Sequence, residues 1–187
     1  MNKDLVIKFL LNEELKFKKP ENMEVSDVKV WAAVYKAHLD TLTGRFNLEK
    51  YRVLKNEDGY NKVVVFLYNE IENRIQKSIP LSSGSLIESV NEEFDVEFGA
   101  IQKLVNMTLK YIIVLNAVDD LNVDVNEKEC DCPIDSKILE QLKKDTKMSH
   151  TVWTKLEPGE YEMIQKEIRG QLKEGQGNIA YDFYNWK

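Results

Sequence analysis

The chain has 187 residues, 43% of them hydrophobic, enough for one domain with a proper core or for two small lobes sharing a cleft. Its formal charge of −6 is unevenly spread: residues 81–135 carry twelve acids against three lysines, a local net of −9. That acidic middle counts against a general nucleic-acid binder, whose affinity comes mostly from phosphate neutralisation.

No stretch approaches the roughly 18 uninterrupted apolar residues of a membrane span, and Met1 to Leu11 holds Lys3, Asp4 and Lys8 where a secretion signal needs a clean apolar run. A soluble, cytoplasmic protein with no membrane partner is expected. In chain order, Ser26 and Asp27 read as a helix start, followed by Val28, Trp31, Tyr35, His38 or Leu39, and Leu42 at helical spacing until Gly44. Trp31, Tyr35 and His38 share one face and are expected in the core. Tyr60 to Gln76 repeats the pattern with Val64, Leu67, Ile71 and Ile75; its run Val63 to Val65 hints at strand, but length and period predict helix. Pro80 and Ser82, Ser83 and Gly84 break the chain, a candidate seam between two helical lobes, and Ser85 with Glu88 predicts a capping box for Leu86, Val90 and Phe94.

Phe94 to Phe98 reads as extended and ends at Gly99. From Ala100 runs the longest apolar segment, apolar nearly all round from Tyr111 to Val118, which marks a central helix. Asp119 to Asp131 is an acidic connector; it resembles a calcium loop superficially but lacks the central glycine, so a solvated loop is predicted. Pro133 and Asp135 open a helix with Ile138, Leu139 and Leu142; Tyr161, Ile164, Ile168 and Leu172 mark another; Gly175 and Gly177 precede an aromatic tail of Tyr181, Phe183, Tyr184 and Trp186. About seven helices and no alternating strand pattern predict an all-α, compact domain spanning 1–187.

Cys130 and Cys132 are one residue apart, too close for an unstrained disulfide. They read as small buried or half-buried thiols, since a zinc site would need His38 and His150 or nearby carboxylates to converge on them. No metal and no cofactor are expected, and no phosphate-cradling Gly-x-x-x-x-Gly-Lys, His-Glu-x-x-His or Gly-x-Ser-x-Gly motif occurs. The favourable region for a polyanion is Lys137, Lys143, Lys144, Lys147 and Lys155, whose alternative is a solvated helix face.

Lys103, Asn106 and Lys110, at i, i+3 and i+7, form one polar stripe on the central helix. Such a stripe faces water or a cleft. Gly99 permits a tight backbone corner whose amides can bind phosphate, and Lys103 in the first helical turn would have its pKa lowered by the positive end of the helix. Asp135 reads as an ordinary N-cap or as a carboxylate projecting toward that lysine.

The run Gly99-Ala-Ile-Gln-Lys103-Leu-Val-Asn106, with Pro133-Ile-Asp135 after it, resembles the core of the helix-hairpin-helix DNA glycosylases. There a Gly-x-Gly-x-Lys hairpin leads into a helix and a Pro-Val-Asp follows. It looks most like the divergent archaeal branch that excises oxidised guanine, with its glycine-poor hairpin and long connector; here lysine and aspartate are 32 residues apart. The resemblance implies Lys103 as the nucleophile on the sugar C1′ and Asp135 as the group that deprotonates it and stabilises the cationic sugar. It implies DNA with a damaged base or an abasic site as the partner. Gly99, Gln102, Asn106, Trp153 and Trp186 are the candidates for substrate contact, Trp153 and the tail aromatics Phe183, Tyr184 and Trp186 as walls of a pocket for an extruded base, or else as core. Gly99 to Tyr111, Cys132 to Leu139 and Trp153-Thr-Lys also resemble small bacterial proteins of no assigned activity. Two readings follow: a DNA N-glycosylase, with or without a lyase step, or a non-enzymatic interaction protein of bacterial or mobile-element origin whose acidic surface meets a protein partner.

Overall fold

The computed structural model describes residues 28–42, 62–119, 121–145 and 152–185. Among them are seven α-helices: α1 (Val28–Leu42), α2 (Lys62–Gln76), α3 (Ser83–Glu93), α4 (Phe98–Asp119), α5 (Ser136–Asp145), α6 (Pro158–Gly170) and α7 (Ile179–Asn185). Two 3-10 turns, Glu127–Glu129 and Trp153–Lys155, complete the described elements. There is no strand among the described residues beyond an isolated bridge of Leu81 with Val125. The all-α class predicted from periodicity is what forms. Ser26, Asp27, Gly44, Asp120, Lys147, His150 and Trp186 lie outside the described residues.

Helix α4 is the axis of the fold because it is apolar on nearly every side, and α1 and α3 pack against it. Ile101, Leu104, Val105, Leu109, Ile112 and Leu115 are all fully buried. Residues 98–118 are long and apolar enough to cross a membrane, yet 89% of the segment is buried inside the protein, the position of a core helix. Helix α1 contributes Val30, Trp31, Val34 and Ala37 to the core, and Trp31 meets Tyr68 of α2 edge to face at 5.4 Å between centroids. His38 is buried beside Tyr35 on the same helix.

The β-branched run Val63 to Val65 is helical, because α2 buries Val63, Val64, Leu67, Tyr68 and Ile71 along one side. Burial overrides a weak local preference for strand. The capping box expected at Ser85 and Glu88 does not form: α3 starts earlier, with Ser82 at the N-cap and no side-chain bond to the helix amides. The hydroxyl of Ser85 instead accepts from Arg74 at 2.9 Å. Of the segment between α2 and α3, residues 77–80 are exposed while Leu81 is wholly buried, as is Ser83 at the start of α3. Leu81 bonds through both backbone groups to the connector, its N–H to Asp124 O and its carbonyl to Asn126 N–H, each at 2.9 Å.

Residues 130–135 form an extended strap that is held residue by residue without a neighbouring strand. Ile179 N–H donates to Cys130 O at 3.1 Å, and the amide of Asp131 donates to Ser83 Oγ at 2.8 Å. Gln165 pairs with both backbone groups of Cys132, accepting at 3.1 Å and donating at 2.7 Å. Gln102 does the same for Ile134, at 3.0 and 2.8 Å. Buried backbone polar groups must be paired, and here side-chain amides supply the partners that a sheet would. Gly177 admits this packing, because a Cβ there would lie 1.7 Å from the carbonyl oxygen of Glu127.

Candidate active site

The polar stripe of α4 faces inward. Lys103 is 8% exposed, Asn106 0% and Lys110 4%, so neither a solvent face nor an open cleft describes it. Periodicity correctly grouped the three residues, but what they meet is a seam of polar groups from other helices.

Asn106 is committed to structure. Its amide donates to Tyr161 Oη at 2.8 Å and its oxygen accepts from Ser83 Oγ at 2.6 Å, while Tyr161 donates to Asp131 at 2.9 Å. The network fixes the strap to α3, α4 and α6, with Asn106 fully buried at its centre. Burial raises the pKa of Asp131, the Tyr161 bond and Arg169 opposing it. Burial likewise pushes the Cys130 thiol up to about 12, and Cys132 well above its ordinary value. Both cysteines are free and buried, as small core thiols rather than nucleophiles.

Helix α4 begins at Phe98, which puts Gly99 inside the helix and Lys103 in its second turn. The glycine is therefore no hairpin corner. What it provides is close approach: a Cβ at Gly99 would lie 2.1 Å from Trp153 O and 3.0 Å from two backbone atoms of Thr154. The 3-10 turn Trp153–Lys155 presses directly on the start of α4, and Trp153 is buried. Its indole lies under the amine of Lys103, with Nζ 4.6 Å from the ring centroid.

Gln102, a further candidate for substrate contact, is fully buried and spends its amide on Ile134 and on Gly99 O. The residue before Lys103 grips the residue before Asp135, so the backbones that carry these two side chains are joined at a clamped junction. Asp135 caps α5, its Oδ1 accepting the amides of Lys137 and Ile138 at 2.9 and 3.0 Å. The Lys103 pKa is lowered, chiefly by burial and slightly by Lys137, while the charges of Asp135, Asp40 and Asp182 oppose the shift in that order. Asp135 is thus the carboxylate that Lys103 feels most. Burial is the chief cause of the depression.

Three further charged groups line the same seam: Lys110, which belongs to the polar stripe, and Asp182 and Asp40, which no motif marks. Lys110, one helical repeat of seven from Lys103 and about 10 Å along the axis, pairs with Asp182 of α7 at 2.5 Å, its Nζ 5.7 Å from the ring centre of Phe183. Burial raises the Asp182 pKa, partly offset by Lys110, with Asp135 raising it and Lys103 lowering it. Asp40 on α1 is bonded to Lys36 at 2.6 Å and accepts the hydroxyl of Tyr111. Burial and Asp40 keep that phenol protonated. The sequence feature that could point to Asp182 is its place as a lone acid within the aromatic run Tyr181 to Trp186. Among the tail aromatics, Phe183 is half-buried against this seam and Tyr184 is exposed, bonded to Gln176 at 2.6 Å.

No group of three or more His, Cys, Asp or Glu side chains arranged to hold a metal ion occurs among the described residues. Fold and electrostatics together define an all-α domain in which a desolvated lysine feels the charge of an N-cap aspartate. No family model matches the chain, and no solved structure does. Over 92 residues, 49% of its length, it is 27% identical to succinyl-diaminopimelate desuccinylase from Wolbachia sp. subsp. Brugia malayi (strain TRS). That match spans 23% of the desuccinylase, so the chain corresponds to under a quarter of it.

Proposed function

We propose that the protein is a DNA N-glycosylase in which the Lys103 amine is the nucleophile and Asp135 its carboxylate. The observation that carries this reading is the Gln102–Ile134 clamp, which ties the lysine-bearing turn of α4 to the aspartate that caps α5. Burial makes the amine easier to deprotonate than a surface lysine. Asp135 uses Oδ1 for the cap, and its negative charge serves the site in two ways. It stabilises positive charge that builds on the sugar as the base departs, and it accepts a proton from the attacking nitrogen.

The sequence of bonds is as follows for a neutral amine. Nζ attacks C1′ of the deoxyribose, the C1′–N bond to the base breaks, and its electron pair leaves with the base. Asp135 takes a proton from the new ammonium centre and returns it to the departing base. Opening of the sugar at O4′ then gives an imine, whose hydrolysis frees Lys103; loss of the C2′ proton and of the 3′ phosphate before hydrolysis is the lyase branch. Neither metal nor cofactor enters these steps. The cytoplasm is the compartment this reading implies.

Borohydride trapping on duplex and single-stranded DNA with abasic sites or oxidised guanine tests it. A covalent adduct that disappears in Lys103→Gln is expected. No adduct from the wild type, with no retention of DNA at low salt, overturns the reading.

A second reading is favoured by the exposure of Glu88, Glu92, Glu93 and Asp95 around the end of α3, a negative surface suited to a basic protein partner. Binding to such a partner that is unchanged after Glu92 and Glu93 are neutralised excludes it.

A further inference from the structure

By its sequence position Trp153 is a candidate wall against which an extruded base could stack. The structure gives its indole another occupant. The ring is 2% exposed, and the amine of Lys103 sits over it at 4.6 Å from the centroid. A base cannot stack on a face that the lysine already covers. The turn that carries Trp153 is seated where only glycine fits on α4, because a Cβ at Gly99 would strike Trp153 O. Gly99 and Lys103 are four residues apart, so they lie on the same side of α4 one turn from each other. One strip of helix therefore receives the backbone of Trp153 through Gly99 and its ring through Lys103.

We propose that Trp153 is a positioning residue for Lys103, its indole face fixing where the amine stands relative to Asp135, with Gly99 as the residue that admits the backbone of the Trp153 turn. A lysine side chain has four rotatable bonds and large rotamer entropy. Holding the amine over a buried ring removes that freedom before substrate arrives, as preorganised sites do. The charged groups that act on the amine come from three other elements: Asp40 on α1, Asp135 with Lys137 at the start of α5, and Asp182 on α7. The aromatic face adds to the three carboxylates in favouring the cation against burial. The proposal deepens the glycosylase reading and rests on it for its catalytic meaning, but the placement of the amine is measurable without DNA.

The test uses the full chain labelled with 13C at lysine Cε, the Lys103 signal being assigned by its loss in Lys103→Arg. In the wild type, the Lys103 methylene protons are expected at high field from the ring current of Trp153. Trp153→Phe keeps part of that displacement. Trp153→Leu abolishes it and moves the Lys103 titration midpoint down by about 0.5 to 1 in pH. An unchanged Lys103 signal, or a midpoint that stays or rises, in folded Trp153→Leu overturns the proposal. Trapping on abasic DNA is run beside it. If the wild type traps, Trp153→Leu should trap at least about fivefold more slowly, with Trp153→Phe between them; equal rates overturn the positioning role. If the wild type does not trap, the glycosylase reading fails while the spectrum still decides the placement of the amine.

Discussion

Gln102 and Ile134 are paired as two strand residues would be, except that one partner is a side chain: the amide of Gln102 donates to Ile134 O at 2.8 Å and accepts Ile134 N–H at 3.0 Å. Replacing Gln102 with Met keeps the length of the side chain and removes both bonds, leaving two buried backbone groups unpaired. The expected loss is about 3 kcal/mol of stability, read from urea unfolding. Because the same clamp joins the backbones that carry Lys103 and Asp135, any trapping activity should fall even at temperatures where the variant is fully folded.

Asp135 has two separable duties. Asn caps a helix about as well as Asp, so Asp135→Asn should unfold within about 0.5 kcal/mol of the wild type, whereas Asp135→Ala should lose about 1 kcal/mol. If the carboxylate acts in catalysis, Asp135→Asn nonetheless traps on abasic DNA about 100-fold more slowly. Equal trapping by the two folded proteins would reduce Asp135 to a cap.

Gly99 and Gly84 are both helical glycines and should respond oppositely to alanine. Nothing lies within 4 Å of a Cβ built at Gly84, so Gly84→Ala should gain up to about 1 kcal/mol from reduced freedom of the unfolded chain. At Gly99 the methyl meets backbone at 2.1 Å, and the expected result is a loss of about 2 kcal/mol. Thermal unfolding of the two variants side by side checks the contrast.

The Lys110–Asp182 pair is buried at both ends, with side chains 4% and 13% exposed. Lys110→Met strands the carboxylate and should cost about 3 kcal/mol; adding Asp182→Leu should restore most of it, since removing both charges avoids the desolvation penalty. A double variant no more stable than the single one would mean that the pair is not the dominant interaction there.

Asp131 predicts a dependence on pH. Its folded pKa is raised above the ordinary 3.8, burial being the chief cause. Between the unfolded and folded values the native state holds the extra proton, so its contribution favours folding in acid and is lost as pH rises through the folded value. Asp131→Asn keeps an acceptor for Tyr161 and carries no charge. It should therefore be more stable than the wild type at neutral pH, with the advantage fading as pH is lowered toward 3.8. Urea midpoints measured across that range decide it.

The helices were legible because each carries its apolar residues at a period that only a helix satisfies; Leu67, Tyr68 and Ile71 of α2 and Tyr161, Ile164 and Ile168 of α6 are the buried sets. The motif singles out Lys103 and Asp135 in the sequence. Their surroundings were not legible there. Periodicity puts Lys103, Asn106 and Lys110 on one face but does not say that Ser83, Tyr161, Trp153 and Asp182 close over it. Nothing local marks Gln102 as the partner of a backbone 32 residues away, or Gln165 as that of Cys132. A glycine in a helix likewise looks the same whether it bends the chain or, as at Gly99, makes room for a carbonyl.

The strap at residues 130–135 has a consequence for how the protein behaves in company. Extended backbone ordinarily brings an open row of donors and acceptors on which a second chain can build a sheet. Here glutamine amides, a serine hydroxyl and a helix-end amide take those positions one at a time, from different helices. The molecule thus carries a rigid, aspartate-bearing segment in its interior while offering no template for cross-β growth along it.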